Sequence, residues 1–499
     1  MSRAGRQPPP LVDPEHLAAL NRRELLFRSA NGFGALALAG LLAGCSRDSA
    51  SGPGAGGPAA ALSAAKAGGQ RPAEPAQSCI FLYMAGGPSH IDTFDPKPQL
   101  EKEHGQICKF KAPPVQFGSC QVIMQSPFRF ARYGQSGLDV SEIFPHVATC
   151  ADELAVVRSM VTDHGEHGTG NYFMHTGAAL AGRPSLGAWL AYGLGSLNDD
   201  LPGYVVLESG RIPVGGLSCF SNGFLPANYR GVVFHQGKAA LPDLAPRERA
   251  PEVQRAKVAL VEQINRGTQA RLDDADGVLD AIIRNYETAF GMQTAVPDVT
   301  NFADETAETL SLYGIDRPET EAFGRQCLAA RRLVERGVRF VQLLPVRLPK
   351  YDQWDQHEHL EEGHRANATA TDRPIAALIK DLRRRGLLDR TLLVWGGEFG
   401  RTPMEHTMPA DTHSRDGRGH NPYGFSMWLA GGGVRPGTIY GRTDEYGLYA
   451  IENPVHVHDL HATILHLMGI DHTQLTFRYG GRDFRLTDVY GRVVEGLVA

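Results

Sequence analysis

The sequence predicts an α/β protein, a three-layer α/β/α sandwich around a mostly parallel central sheet. Three observations carry this expectation. Continuous apolar runs of strand length recur along the chain, several of them closed by paired glycines, and such runs suit strands buried on both faces. Charged segments of helical period lie between them, and strands alternating with helices build a sheet covered on both sides. Acids and histidines follow several runs directly, where an open α/β sheet collects its functional side chains.

Taken in order, the strand candidates are "CIFLYMAGG" from Cys79, "LAVVRSM" from Leu154, "GYVVLES" from Gly203, "RFVQLLP" from Arg339, "TLLVWGG" from Thr391 and "FSMWLAGGG" from Phe425. Between the third and fourth, the charged, periodic segment Pro251 to Phe290 predicts one or two surface helices. In "DRPIAALIKDLRRRG", Ile375, Leu378, Ile379 and Leu382 share a face, with Pro374 near the expected start and Gly386 past the end. In "VHVHDLHATILHLMGID", Asp459 is the expected N-cap, and Leu460, Ile464 and Leu467 face inward. His456, His458, His461 and His466 then read as surface or packing residues of that helix.

Ahead of the folded part, Arg22 and Arg23 precede an apolar stretch from Phe33 to Ala43 that ends in Leu42-Ala43-Gly44-Cys45. The pattern resembles a twin-arginine export signal closed by a lipobox, with Cys45 as the lipid-bearing thiol. The apolar stretch is shorter than the ~20 residues of a spanning helix. Residues 46–77 are small and rich in Pro and Gly and cannot bury a core, so they read as a flexible tether. The expected organisation is a signal at 1–45, a tether at 46–77 and one α/β domain at 78–499, held by its lipid on the periplasmic side of the cell envelope. A net charge of −5 over 499 residues offers no polyanion-binding surface, which argues against nucleic acid as a partner. The other cysteines show no metal-finger spacing, although Cys108 and Cys120 are close enough in sequence for a loop disulfide.

Five stretches put ligand-type side chains after a strand candidate: His90, Asp92 and Asp95; Asp163, His164, Glu166, His167 and Thr169; Asp355, His357 and His359; Glu398; and His420. Carboxylate with imidazole is the ligand set of zinc, manganese and iron sites, and two metals need at least six such groups to converge. Each group has a plainer reading as well. Asp92 and Asp95 can cap the turn before Pro96, and a histidine beside glycine is more often a solvated loop residue.

"GGPSHIDTFDPKP", the pattern Trp354-Asp355-x-His357, "GEFGRTP", the Gly-Arg-x-His pattern ending at His420, and "DLHATILHLMGI" together resemble the bacterial family known as domain of unknown function 1501. That family looks sulfatase-like and is similar to the alkaline phosphatase superfamily; the match runs from about Cys79 onward. The resemblance implies an α/β/α fold with divalent metal at the carboxyl edge of the sheet. The expected ion is zinc, with manganese, iron or calcium as alternatives, and two ions are expected. It implies metal roles for Asp92, Asp355, His357, Glu398 and His420, and the strand-end reading adds His90 and His164 as further candidate ligands. Arg401 would bind an anionic ester oxygen through its planar fork. No formylglycine motif is present, and His167 falls about where a phosphatase of this superfamily has its nucleophile, with Thr169 the nearby hydroxyl.

These readings lead to a metal-dependent hydrolase of phosphate or sulfate esters acting on a small-molecule or glycan ester, with His167, Thr169 and Arg401 as its catalytic candidates. The alternative is a non-catalytic, metal-stabilised surface binding or scaffold lipoprotein. The oligomeric state is left open.

Overall fold

Alternation along the strands divides the hydrophobic side chains between two cores, one on each face of a nine-stranded sheet. The computed structural model describes residues 74–110, 119–235, 240–242, 244–245, 250–269, 278–351, 353–406 and 416–499. The export signal and nearly all of the tether lie outside them, as does the side chain of Cys120 and with it the Cys108–Cys120 pairing. No helix among the described residues is long and apolar enough to cross a membrane.

The strands that matter for the site are β1 (Ser78–Tyr83), β2 (Ser119–Ile123), β3 (Leu154–Val161), β4 (Tyr204–Glu208), β5 (Val232–His235), β6 (Phe340–Leu343), β7 (Thr391–Gly396), β8 (Gly400–His406), β9 (Arg418–Asn421), β10 (Phe425–Ala430), β11 (Thr438–Tyr440) and β12 (Val455–His456). The central sheet runs β11-β3-β10-β7-β1-β6-β4-β5, with β12 also paired to β3. Every pairing in it is parallel except those of β10, which runs antiparallel to both β3 and β7. All six apolar runs are therefore strands of one mostly parallel sheet.

On one face, Ile80, Leu82, Val341, Leu343, Leu393 and Trp395 pack under the helices Glu321–Glu335 and Leu360–Arg384. On the other, Cys79, Phe81, Tyr83, Phe340, Leu392 and Val394 pack under α1 (His167–Thr176), Leu186–Leu194 and Val457–Leu467. Two helices, Pro251–Gln269 and Val278–Thr300, occupy the long charged segment.

Three local expectations shift. The helix expected to start near Pro374 begins at Leu360 and carries Pro374 in its interior. The missing N–H there is tolerated because the helix is held elsewhere: Asp372 accepts from His146 N at 2.8 Å and from Val147 N at 2.7 Å, on a buried apolar face. The last long helix is capped by His456 rather than Asp459. Asp459 stands at N3 and closes a capping box by accepting from His456 N at 3.1 Å. "GRTPMEH" is strand β8, the middle of a small antiparallel sheet in the order β9-β8-β2. A proline belongs in a central strand only at an irregularity, and the register of β8 against β9 shifts between Arg401 and Glu405, a stretch that contains Pro403.

Candidate metal centre

Four ligand atoms converge at the carboxyl ends of β3, β6 and β7: one each from His167, Asp355, His357 and His420, all within 4.8 Å of one another. His167 opens α1, just past β3. Asp355 and His357 lie in the segment that follows β6, and His420 sits in β9. The connection after β1 makes room for them. Gly86 has φ +107°, and a Cβ there would stand 2.7 Å from Asp355 N, so the backbone turn that seats Asp355 requires glycine.

The spacing suits a cation. Tetrahedral bonds of ~2.0–2.1 Å place ligand atoms ~3.3–3.4 Å apart. His357 Nε2 is 3.0 Å from His420 Nε2, and Asp355 Oδ1 lies 3.1 Å from His357 Nε2 and 3.5 Å from His420 Nε2. His167 Nε2 is buried 3.1 Å from Asp355 Oδ2 without making a hydrogen bond. Two rings are fixed from behind so that Nε2 faces the centre. His420 Nδ1 donates to Gly165 O at 2.7 Å, and His167 Nδ1 to Glu398 Oε1 at 2.7 Å. Carboxylate or carbonyl partners on the far nitrogen are how metal-binding imidazoles are oriented.

Glu398 is thus placed one shell out, fully buried against His167 rather than at the centre of the cluster. Burial opposes its charge, yet the His167 hydrogen bond and charge, with backbone donors, bring its carboxyl below the usual range. Gly86 N donates to it at 3.0 Å and Tyr83 Oη lies 3.2 Å from Oε2. Tyr83 also donates to Asn171 Oδ1, and Asn171 Nδ2 donates to His167 O at 2.6 Å. The single Tyr83 hydroxyl hydrogen lies between Asn171 Oδ1 and Glu398 Oε2, and these contacts link the His167 imidazole through Glu398, Tyr83 and Asn171 back to the His167 backbone in a ring.

Electrostatics separate the three histidines. Burial disfavours the charged form of His167, but the Asp355 carboxylate close by, with the Glu398 hydrogen bond and charge, wins, raising it to about 9. Burial dominates at the others, lowering His357 and taking His420 down to about 3. Asp355 stays ionised at any ordinary pH: Arg401 and the three histidines outweigh its burial.

The remaining candidates lie elsewhere. Asp92 is fully buried in an ion pair with Arg418, whose Nε is 2.8 Å from Oδ2. His90 Nε2 bonds to Gly447 O at 2.7 Å, and His164 packs edge-on against Phe173. The Thr169 hydroxyl points back to Glu166, 3.3 Å from its carbonyl and 3.2 Å from Oε2, while Glu166 caps α1 by accepting from Gly168 N and Thr169 N. Arg401 is fully buried, and its guanidinium is spent on Gly86 O, Gly87 O, Arg418 O and Asp355, so it fastens Asp355 instead of reaching outward. Sequence reasoning passed over Tyr83, Asn171, Arg418 and His406, whose ring lies 4.3 Å from that of His357. The only signal for the first two was a polar group inside an apolar strand and one at the fourth residue after His167.

Beside the cluster, a cleft of about 600 Å³ is lined by residues after β3 and around β9, with His420 at their junction. The other set of metal-type side chains among the described residues, His359, Glu362 and Asp416, is exposed.

Fold and site together define a three-layer α/β protein with a three-histidine, one-aspartate cluster at the carboxyl edge of its sheet. The chain belongs to the family described as Protein of unknown function (DUF1501), whose model matches residues 76–498. No curated protein matches it. Among solved structures it is similar to a protein in the alkaline phosphatase superfamily from Vibrio parahaemolyticus, with a TM-score of 0.35 and 10% identity over 81% of this chain and 71% of that one. It is also similar to the phosphonate monoester hydrolase SpPMH from Silicibacter pomeroyi, with a TM-score of 0.31 and 14% identity over 65% and 68%. A third likeness is alkaline phosphatase from the Antarctic bacterium TAB5, with a TM-score of 0.32 and 9% identity over 79% and 99%. Similarities this distant carry no argument about chemistry, which has to come from the side chains.

Proposed function

We propose that the protein is a metal-dependent hydrolase of phosphate or sulfate esters, exported by the twin-arginine route and lipid-anchored through Cys45 on the periplasmic side of the envelope. The observation that supports the chemistry is the convergence of His167, Asp355, His357 and His420, at ligand spacing, on the edge of an open cleft. The localisation is supported by Arg22, Arg23 and the Leu42–Cys45 lipobox.

A divalent ion held by these four residues, zinc first by donor type and manganese, iron or calcium after it, would supply a Lewis acid for an ester oxygen and acidify a water. The described residues bring one such set together away from bulk solvent, with His420 buried and the other three half-buried, so we assign one ion where the sequence suggested two. Arg401 fixes the Asp355 carboxylate, with Nη2 2.6 Å from Oδ1, and Glu398 fixes the His167 ring. With Thr169 committed to the cap of α1, water rather than a side chain is the attacking group in this reading. The same commitment is the one observation that favours the second reading, a metal-stabilised binding or scaffold lipoprotein.

The test is metal content and turnover of aryl phosphate, sulfate and phosphonate esters by the purified protein, with His357→Ala and His420→Ala alongside. About one ion per chain, with both ion and turnover lost in the variants, is expected. A loaded wild type that turns over none of the three esters leaves the scaffold reading, and a folded wild type that takes up no ion removes both.

A further inference from the structure

The cleft beside the metal centre has a wall that the chemistry of the cluster does not use. Its lining residues include two aromatic rings, Tyr423 and Tyr449, with centroids 5.6 Å apart and planes inclined at 45°. The pair is held before any ligand arrives. Buried Asn421 donates to the carbonyls of Gly424, Gly447 and Leu448, which fastens the turn bearing Tyr423 to the one bearing Tyr449. Ala450 N donates to Tyr423 O at 2.9 Å, and Asp444 accepts from Tyr449 N at 3.1 Å. A platform fixed by buried hydrogen bonds presents its ring faces at little entropic cost.

Polar residues line the same space. Thr162 is more than nine-tenths buried, lines the cleft, and its hydroxyl has no partner. A buried hydroxyl left unpaired costs free energy that a ligand hydroxyl recovers by donating to it or accepting from it. Asp163 stands 3.3 Å from His456 Nε2, offering acceptor and donor side by side at the rim. Among the described residues, no lysine or arginine lines the cleft. Its two carboxylates are already matched, Asp163 by His456 and Glu166 by the N-terminus of α1. Among the described lining residues a polyanion finds no counter-charge beyond the metal centre, and an organic cation finds no unmatched carboxylate.

We propose that this cleft is the subsite for the alcohol portion of the substrate and takes an uncharged sugar, its ring face on Tyr423 and Tyr449 and its hydroxyls on Thr162, Asp163 and His456. The cleft volume, about 600 Å³, is within the range of small-molecule sites. The subsite rests on the hydrolase reading for its role, though not for its binding.

The experiment therefore measures binding without turnover. Saturation-transfer NMR on the metal-loaded, full-length protein is run with a panel of neutral mono- and disaccharides, with choline and inositol hexakisphosphate as the cationic and polyanionic probes. At least one neutral sugar is expected to bind, with affinity falling tenfold or more in both Tyr449→Ala and Thr162→Val; unchanged metal content checks that each variant is folded. Thr162→Val keeps the shape and removes only the hydroxyl, so it reads the polar contact separately from the packing. Binding of no neutral sugar, binding untouched by both substitutions, or preferential binding of either charged probe overturns the proposal. Sugar binding by a protein that hydrolyses no ester would keep the subsite and discard the hydrolase, while ester turnover with no sugar binding would do the reverse.

Discussion

Metal uptake by the cluster should eject a proton from His167, and the size of that effect follows from the site. His167 alone of the three cluster histidines is raised, to about 9, because it lies between Asp355 and Glu398. His357 is lowered and His420 falls to about 3, so both are neutral at pH 7 and lose no proton when an ion binds. At pH 7 the His167 imidazolium is about two units below its pKa, and removing its proton costs ~2.7 kcal/mol. Apparent metal affinity should therefore be about 100-fold weaker at pH 7 than above pH 9, rising tenfold per unit between them and then levelling. The assay is isothermal titration of metal-stripped protein with zinc in buffers of different ionisation enthalpy. Close to one proton per ion is expected at pH 7 and almost none at pH 10. Glu398→Gln removes one of the two stabilising charges and should move the break in the affinity curve towards neutrality. Affinity that is flat from pH 7 to 9, or no proton release at pH 7, would refute the reasoning.

Tyr83→Phe opens the hydrogen-bonded ring around His167 and leaves Asn171 Oδ1 without its donor, so urea unfolding should show a loss of about 1–3 kcal/mol. Arg418→Met strands the buried Asp92 charge and should cost about 3–5 kcal/mol, whereas Asp92→Asn should leave metal content unchanged, since Asp92 faces Arg418 and not the cluster. His175, His364 and His461 are fully buried, and burial lowers them to about 4, 3 and 3. Each is depressed below its unfolded value near 6.5, so its stability contribution is complete above that pH and is lost as pH falls towards the folded value. Between pH 7.5 and 5.5 the three together should remove roughly 4 kcal/mol, readable as proton uptake on unfolding. Gly86→Ala forces a Cβ against the backbone of Trp354 and Asp355 and should abolish metal retention even where the protein remains folded, as circular dichroism and elemental analysis would show.

The sheet was legible because its central strands are buried on both faces and therefore read as unbroken apolar runs; β11 and β12 are too short to announce themselves that way, and β5 is an edge strand with one buried residue. Motif reading found Asp355, His357 and His420, which the structure brings together with His167, because ligand chemistry sits in loops with little else to explain it. It could not separate Asp92 from a ligand, since a carboxylate bound for a buried guanidinium and one bound for a cation look alike in sequence. Arg401 shows the same limit: its spacing after Glu398 suggests an outward fork, but β8 continues as a strand and carries the side chain inward. Asp459 was the right kind of residue three positions late, because a histidine filled the N-cap that side-chain preference assigns to Asp, Ser or Thr.

The position of β1 sets a schedule for synthesis. It is the first strand made among those described, yet it lies in the middle of the sheet, with Ile80 opposite Val341 on one side and Leu393 on the other. At ~5–20 residues per second, a ribosome needs roughly 15–60 s between making β1 and finishing β7. Both edges of this apolar strand stay unpaired until β6 is made, roughly 13–52 s in, and the edge that faces β7 waits the whole interval. The nascent chain is then a natural client for a holding chaperone, and the order of strands in the sheet, more than their composition, determines how long it must be held.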